Sequence, residues 1–222
     1  MPVPDAVHFG PAVDNSGLTY GMVRAMIEED QFHALQRRFS RFCLEQIGDL
    51  TRSAGGKRLV HSPFPLFVMT CVGIETAGKI FFWRSPARGE SEEDVQRLGF
   101  IQVCKGIDAH LSRPLTAQHK AEYDSLWGAG AHRFAQSYGT IVYRLGRNTM
   151  IHGYRGKGVF ITDDPAVPSW AMHAGGVALN PYWFFGRFAE HCNELWAKFH
   201  ANKNANNPLK ISARAYLQDL LG

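Results

Sequence analysis

The sequence lacks the short motifs by which several large enzyme classes are recognised. It has no HExxH zinc-binding helix, no GxxxxGK[ST] phosphate loop, no GxSxG nucleophile elbow and no pair of CxxC motifs. Its ten histidines are dispersed, and none lies four residues from a second ligand on a clear helical face. These absences disfavour zinc proteases, P-loop NTPases and α/β-hydrolases, and the sequence predicts no metal site and no cofactor.

Cysteine and targeting signals are also scarce. The N-terminus has no basic region followed by an apolar run, as a secretory signal would. Four widely separated cysteines indicate buried free thiols in a reducing compartment: Cys43, Cys71, Cys104 and Cys192. Together these features predict a cytoplasmic protein.

One long apolar stretch runs from Leu66 to Trp83. It contains Glu75 and Lys79, and ionisable groups are costly inside a bilayer. A buried core helix is therefore expected here, and no membrane association. Glu75 lies at the edge of the apolar face, so it either pairs with a cation, for which an arginine is the natural candidate, or reaches solvent.

Acidic residues are absent from one region of the chain. The formal net charge is only +4, yet the stretch from Ser125 to Thr162 has no Asp or Glu. The same stretch contains His132, His152 and five cations: Arg133, Arg144, Arg147, Arg155 and Lys157. Such a stretch either binds an anion or forms a solvated helix face whose acids come from elsewhere in the fold. Both interpretations stay open at this point.

Length and composition suit one globular domain. The chain has 222 residues, 45% of them apolar and 20% charged. Residues 1–18, rich in Pro, Gly and Asp, are expected to form an irregular arm, and residues 19–222 a single domain. Apolar periodicity of about 3.6 residues predicts a series of helices: 19–52, 63–83, 92–111, 116–127, 130–152, 181–200 and 209–221.

Short β-like segments interrupt this helical pattern. Alternation and flanking turn residues predict strands at 158–162, 169–174 and 176–179. They indicate a small β-hairpin or three-stranded ribbon, inserted at about 158–179. The fold class expected is therefore mostly α, an antiparallel helical bundle with a small inserted β-hairpin.

The helix expected from Gly130 combines this periodicity with chemistry. Asn148 and His152 continue its apolar face, and Gly153 follows as the C-terminal cap. The apolar face itself consists of Phe134, Tyr138, Ile141 and Leu145. Arg147 lies about 140° round the helix from His152, at 100° per residue. Its long side chain can still reach the histidine.

Arg147 and His152 are suited to phosphoryl chemistry. A guanidinium binds phosphate oxygens bidentately and keeps its charge, and an imidazole moves protons near neutral pH. The spacing alone also fits a structural role, since a histidine at a helix C-terminus commonly satisfies exposed carbonyl groups.

The segment from Tyr143 to Tyr154, YRLGRNTMIHGY, resembles the Arg-x4–6-His motif of the HEPN superfamily (higher eukaryotes and prokaryotes nucleotide-binding). In many members a polar residue such as Asn148 follows the arginine directly. The segment Gly73–Lys79, GIETAGK, resembles the small-residue, acid-bearing helix that packs beside the motif helix in that family. The resemblance covers roughly residues 60–200 and implies a HEPN-like helical bundle.

The resemblance also implies a reaction. Active HEPN proteins are metal-independent endoribonucleases that leave 2′,3′-cyclic phosphates, usually as homodimers whose two motifs face one cleft. Arg147 would then stabilise charge on the scissile phosphate, His152 would act as base or acid, and Asn148 would orient them. Glu75 would hold Arg147 from the neighbouring helix.

Carried over in the same way, the RNA backbone would be held by Arg144, Tyr154, Arg155 and Lys157. Such a free-standing nuclease suits a toxin or a phage-defence or stress effector with a separately encoded antitoxin. Two alternatives remain: a non-catalytic HEPN-like module that binds a nucleotide, nucleic acid or protein, and a helical scaffold in which Arg147 and His152 are structural.

Overall fold

A computed structural model of the protein describes residues 18–51, 63–144, 159–162, 169–173, 176–201, 203–204 and 206–221. The described chain is mostly helical, with one small sheet, as expected for its fold class. The α-helices are α1 (Tyr20–Glu29), α2 (His33–Phe39), α3 (Gln46–Asp49), α4 (Pro63–Phe82), α5 (Glu92–Ile107), α6 (Ala117–Trp127), α7 (Tyr138–Ile141), α8 (Pro181–Ala201) and α9 (Pro208–Leu221). A π-helical segment, Ser40–Glu45, joins α2 to α3, and short 3-10 helices lie at Ala109–Ser112 and Ala131–Phe134.

The single helix predicted from 19 to 52 is wrong, because the chain breaks at Asp30. Asp30 has a left-handed backbone with φ of 56°. Its carboxylate accepts hydrogen bonds from Lys210 and Arg214 of α9, each at 2.7 Å. These cations lie far along the chain, so the local periodicity gave no sign of the break.

The predicted N-terminal arm, 1–18, lies outside the described residues except for its last member. Leu18 is buried, with 5% of its surface exposed. Thr19 then caps α1, its hydroxyl accepting a hydrogen bond from the Met22 amide at 3.1 Å. A single hydrophobic core connects Leu18 with residues as distant as Leu217.

Helix α4 lies at the centre of the packing and contacts α5, α8 and α9. Its predicted buried face is confirmed: Phe67, Cys71, Ile74, Gly78 and Phe81 are all buried. Among the described residues α4 is also the one helix long and apolar enough to cross a membrane, with a mean hydropathy of 1.4. Of that window 61% is buried within the protein, as occurs in the core helix of a soluble protein.

Two of the predicted helix starts are confirmed by their caps. Ser91 and Asp94 form a capping box at the start of α5. The Thr116 hydroxyl caps α6. Helix α5 ends earlier than predicted, at Ile107, because Asp108 is extended and caps the following 3-10 helix instead.

The single helix expected from Gly130 to His152 is also wrong at its start. Ala131–Phe134 is a separate 3-10 turn, and α7 begins only at Tyr138. Ser137 is extended, and its hydroxyl caps α7 by accepting a hydrogen bond from the Thr140 amide at 3.2 Å. Phe134 and Tyr138 therefore belong to two different helical elements.

The three predicted strands form one mixed sheet rather than a simple hairpin. They are β1 (Val159–Ile161), β2 (Trp170–His173) and β3 (Gly176–Leu179). The central strand, β3, runs antiparallel to β2 and parallel to β1. It packs against α7, and its Val177 and Leu179 are fully buried.

Helix α8 starts as predicted, with the Asn180 side chain accepting hydrogen bonds from the Tyr182 and Trp183 amides. Its inward face is aromatic, and the ring centroids of Trp196 and Phe81 on α4 lie 4.8 Å apart. The four cysteines are free and buried, as expected.

Candidate functional site

The motif residues themselves lie outside the described part of the chain. These are Arg147, Asn148, His152, Tyr154, Arg155 and Lys157. Of the predicted site residues, Arg144 and Glu75 are described. The geometry of the site is therefore given by the segment that leads into the motif and by the side chains around it.

The segment that leads into the motif is deeply buried. Tyr138, Ile141, Val142 and Tyr143 each have 7% or less of their surface exposed. The rings of Tyr143 and Phe100 on α5 make an edge contact, with their centroids 5.2 Å apart. Helix α7 packs against α5 and the following 3-10 helix. The residues directly before the motif, 138–143, are thus held in place by packing against α5.

Helix α7 approaches its neighbours closely at Gly139. A Cβ atom there would lie 3.1 Å from the carbonyl oxygen of Leu111 and 3.6 Å from Cβ of Cys104. A larger residue would push α7 away from the 3-10 helix. Glycine at this position therefore allows α7 to lie close to α5 and to the 3-10 helix that follows α5.

Arg144 is the first partly exposed residue after the buried segment. Hydrogen bonds from Ser91 hold the pKa of Asp94 below its ordinary value, and the charges of Arg97 and Arg144 add to the effect. Burial raises the pKa of Tyr123 on α6, and the charge of Arg144 opposes it. Arg144 therefore lies close enough to Asp94, at the start of α5, and to Tyr123, in the middle of α6, to interact with both electrostatically.

Glu75 is buried, with 8% of its surface exposed, rather than lying in solvent at the margin of α4. Its carboxylate pairs with Lys79 of the same helix, with Nζ 3.0 Å from Oε1. Burial raises the pKa of Tyr216 on α9, and the charge of Glu75 adds to it. One ion-pair partner of Glu75 is thus a lysine on its own helix, whereas the expected partner, Arg147, lies outside the described residues.

A cleft that the sequence did not predict lies beside the start of α7. It has a volume of about 360 Å³. We call it the histidine cleft. Its walls come from the 3-10 helix after α5, the start of α6, α7 and β2: His110, Arg113, Pro114, Thr116, His119, Tyr138, Trp170 and Ala171.

One wall of the histidine cleft is formed by three aromatic rings in contact, those of His119, Tyr138 and Trp170. Nδ1 of His119 lies 2.6 Å from the Tyr138 hydroxyl. The Tyr138 ring also contacts that of Trp170, with centroids 5.3 Å apart. Because Tyr138 is the first residue of α7, the cleft lies at the base of the helix that leads into the motif.

Asp108 holds two residues of the cleft lining, Trp170 and His110, in position. It accepts hydrogen bonds from the Trp170 indole at 2.9 Å and from the His110 backbone amide at 2.8 Å. Its second contact with His110, to Nδ1, is 3.1 Å long. Burial raises the pKa of Asp108, but the hydrogen bonds from Trp170 and His110 outweigh it and hold that pKa below its ordinary value. The carboxylate thereby joins the end of α5 to the sheet.

The cleft gathers groups that bind anions and move protons. Two imidazoles, from His110 and His119, and the exposed guanidinium of Arg113 line it together with a phenol and an indole. Arginine and histidine bind phosphate, and aromatic faces stack on bases. In the sequence the signal is a polar side chain at every third position from His110 to His119, a spacing that differs from the i,i+4 spacing of ligand pairs on a helix.

His132, which lies in the acid-free stretch, has a structural role. Its amide and Nδ1 contact the Asp124 carboxylate at 2.8 and 2.7 Å. This pair fastens the Ala131–Phe134 turn to α6. Within the described ranges no three His, Cys, Asp or Glu side chains come together as a metal site.

No family model, curated protein or solved structure matches this chain. Its own residues therefore carry the functional interpretation.

Proposed function

We propose that the protein is an endoribonuclease of the HEPN type, which acts as a homodimer with two motifs facing one cleft. The observation that carries the proposal is the sequence Arg147-Asn148-x3-His152 within a stretch that has five cations and no acid. A guanidinium, an amide and an imidazole in such a field match the needs of RNA cleavage at phosphate.

The described residues support the proposal indirectly. The fold is mostly helical, as a HEPN bundle is, and the chain is buried and closely packed up to Tyr143. A catalytic pair needs such a base, because small displacements of reacting groups lower rates strongly. Arg144, partly exposed at the end of that base, would be the first cation available to the RNA backbone.

The proposed reaction needs no group beyond RNA and protein. His152 takes the proton of the ribose 2′-hydroxyl, and the 2′-oxygen attacks the adjacent phosphorus. The bond from phosphorus to the 5′-oxygen breaks, and that oxygen receives a proton from a protonated His152 of the dimer. Arg147 and Asn148 stabilise the charge on the phosphoryl oxygens. The products are a 2′,3′-cyclic phosphate and a free 5′-hydroxyl.

A non-catalytic RNA- or nucleotide-binding module is the second candidate function, and the histidine cleft favours it. Arg113 and His119 would contact phosphate, and Trp170 would stack on a base. In the enzyme, the same cleft would hold RNA beside the motif. Under either candidate, binding weakens as salt increases, because the phosphate contacts release counterions.

The deciding experiment incubates the wild type, Arg147→Ala and His152→Ala with tRNA and mRNA in excess EDTA, with product ends analysed. We expect the wild type to leave 2′,3′-cyclic phosphates and His152→Ala to be slower by about 10²–10⁴-fold, the usual contribution of a general acid or base. RNA with 2′-O-methyl groups, and DNA of the same sequence, should stay intact because they lack the nucleophile.

Matched controls separate catalysis from loss of fold. His33→Ala removes an exposed histidine that stacks on His200, and Arg187→Ala removes an exposed arginine on α8. Both should cleave like the wild type. Lost cleavage in His152→Ala at an unchanged melting temperature supports the enzyme. A large drop in melting temperature supports a structural pair, and salt-sensitive RNA binding without products supports the binding module.

The physiological setting follows from the same proposal. A ribonuclease of this kind would act as a toxin or as a phage-defence or stress effector in the cytoplasm, with a separately encoded antitoxin. Expression of the wild type, but not of His152→Ala, should then arrest growth of a bacterial host.

A further inference from the structure

The histidine cleft is lined by two imidazoles that are each held through the same ring nitrogen. Nδ1 of His110 lies 3.1 Å from the Asp108 carboxylate, and Nδ1 of His119 lies 2.6 Å from the Tyr138 hydroxyl. Within the described part of the chain, neither ring makes a hydrogen bond through Nε2. The Nε2 atoms are therefore the ones that the two rings offer to a ligand in the cleft.

The bond to Asp108 determines which nitrogen of His110 is basic. Burial raises the pKa of Asp108, but the hydrogen bonds from Trp170 and His110 outweigh it and hold that pKa below its ordinary value. The carboxylate is therefore ionised at neutral pH and only accepts hydrogen bonds. A neutral His110 ring consequently carries its proton on Nδ1 and its lone pair on Nε2. A histidine oriented in this way by a carboxylate is suited to take a proton from a ligand.

His119 is suited to the complementary role of acid. The Thr116 hydroxyl accepts a hydrogen bond from its backbone amide at 3.2 Å and holds the residue in the first turn of α6. When the Tyr138 hydroxyl donates to Nδ1, the proton of a neutral His119 ring lies on Nε2, and a protonated ring carries hydrogen on both nitrogens. In both of these states Nε2 has a hydrogen to donate.

Arg113 supplies positive charge to the cleft. Its side chain is exposed, and it forms no ion pair or hydrogen bond with the described residues. It lines the same cleft as the two histidines. A guanidinium without a carboxylate partner binds phosphoryl oxygens bidentately and keeps its charge at any physiological pH. The cleft thus combines a base, an acid and a fixed cation.

Trp170 gives the cleft an aromatic surface for a base. Its indole nitrogen donates to Asp108 at 2.9 Å and its ring contacts that of Tyr138, so the partly exposed ring is held in one orientation. Nucleic-acid bases stack on such rings. The cleft volume of about 360 Å³ is near the lower end of the usual range for small-molecule sites, about 300–1,000 Å³. This size suits one nucleotide rather than a longer stretch of RNA.

We propose that the histidine cleft is a second catalytic site, which hydrolyses a nucleoside 2′,3′-cyclic phosphate to the 3′-phosphate. A water oxygen attacks phosphorus while Nε2 of His110 takes a proton from that water. The bond from phosphorus to the 2′-oxygen breaks, and this oxygen receives the Nε2 proton of a protonated His119. Arg113 stabilises the charge on the phosphoryl oxygens. The proton then passes from His110 to His119 through solvent, which restores the site.

The substrate class rests on the proposed ribonuclease function, which would supply cyclic phosphates, whereas the chemistry of the cleft uses none of the motif residues. A cyclic phosphate at the 3′ end of an RNA fragment requires room for one nucleotide, which the cleft provides. Cyclic ends would then be the early products of RNA cleavage, and 3′-phosphates the late ones.

Synthetic 2′,3′-cyclic AMP and 2′,3′-cyclic CMP test this activity without any need for RNA cleavage. The full-length wild type, incubated in excess EDTA to silence contaminating metal-dependent enzymes, should convert them to the 3′-monophosphates, as resolved by chromatography. His110→Gln and His119→Gln should each be slower by about 10²–10⁴-fold. His152→Ala should hydrolyse them like the wild type. No hydrolysis by the wild type, or undiminished hydrolysis by His110→Gln, would overturn the proposal.

Two matched pairs of variants locate the reaction in the cleft. Arg113→Gln should lower the rate about 10²-fold, whereas Arg88→Gln, at an exposed arginine outside the lining, should not. Ala171→Trp should fill the cleft and block hydrolysis, whereas Ala121→Trp, on an exposed position of α6 outside the lining, should leave it unchanged. All four positions are exposed, and thermal melting checks that each variant folds. Equal rates within either pair would contradict the assignment.

The cleft activity and the ribonuclease can fail separately. RNA cleavage that is lost in His152→Ala, together with cyclic nucleotides that persist in the wild type, would support the ribonuclease and reject the cleft activity. Hydrolysis of cyclic nucleotides without RNA cleavage would support the cleft activity and reject the ribonuclease. Calorimetry that detects 2′,3′-cyclic AMP binding without hydrolysis would show a binding site only and would overturn the catalytic proposal.

Discussion

The two sides of α4 differ sharply in how closely their neighbours approach. Toward α5, a Cβ atom on Gly78 would lie 2.8 Å from the carbonyl carbon of Gly99, so the two backbones are in contact. Toward α2 and α9, the same helix borders a cavity of about 470 Å³. Both sides are apolar, and on the α5 side the facing glycines Gly78 and Gly99 allow the two backbones to meet.

The closely packed side is the one that supports the motif. Helix α5 carries Phe100, which contacts Tyr143, and Cys104, which lies beside Gly139 of α7. A tight contact between α4 and α5 therefore fixes the base from which the chain enters the proposed catalytic segment. The side of α4 that faces α2 and α9 does not contact the segment before the motif, and the cavity there has room for a ligand.

The largest effect is expected from adding a methyl group where α4 and α5 are in backbone contact. Gly78→Ala should lower the free energy of unfolding by at least about 2 kcal/mol, because the new methyl group meets backbone atoms that cannot rotate away. Gly99→Ala should act similarly, since its Cβ would lie 3.0 Å from the Gly78 carbonyl oxygen. Urea unfolding measures both. An unchanged midpoint for either variant would show that α4 and α5 are further apart than described.

Periodicity and capping chemistry were sufficient to predict much of this architecture. The buried face of α4 follows from apolar residues at helical spacing, and the starts of α5, α6 and α8 follow from Ser91, Thr116 and Asn180. These are local signals, contained within a few residues of the element that they define.

The features that were missed depend on distant partners. The break at Asp30 is stabilised by Lys210 and Arg214, about 180 residues further along the chain. The histidine cleft forms because Trp170 of the sheet bonds to Asp108 and contacts Tyr138. No local sequence pattern predicts contacts between residues so far apart along the chain. The proposed catalytic residues stay a prediction, since the motif lies outside the described chain.

An intermediate effect is expected from the histidine on the far side of α5. His191 of α8 packs against Gly106, and its Nε2 is buried without a hydrogen-bond partner among the described residues. Burial lowers its pKa, while Glu194 opposes the shift. The folded protein therefore favours neutral imidazole, and below about pH 6.5, its ordinary value, the unfolded chain binds the proton more readily.

The free energy of unfolding should consequently fall as the pH is lowered through 6.5 toward the folded pKa, and it should be insensitive to this group above 6.5. Urea unfolding of the wild type and His191→Gln at pH 7.5 and 5.5 measures the difference. We expect the wild type to lose more stability than the variant, by less than Gly78→Ala costs. His200, whose pKa is also lowered by burial, contributes equally to both chains. Identical losses in the two chains would contradict the assignment.

The smallest effect is expected from the same substitution at a glycine without close neighbours. Gly186 lies within α8, and among the described residues no atom of another element would lie within 4 Å of a Cβ placed there. Gly186→Ala should raise the free energy of unfolding by about 0.5–1 kcal/mol, because alanine favours the helix and meets no obstacle. One methyl group thus stabilises at Gly186 and destabilises at Gly78, which isolates packing from helix propensity. Destabilisation by Gly186→Ala, measured by urea unfolding across a range of protein concentrations, would instead show that this face of α8 is covered, and a dependence on concentration would assign the cover to a second copy of the chain.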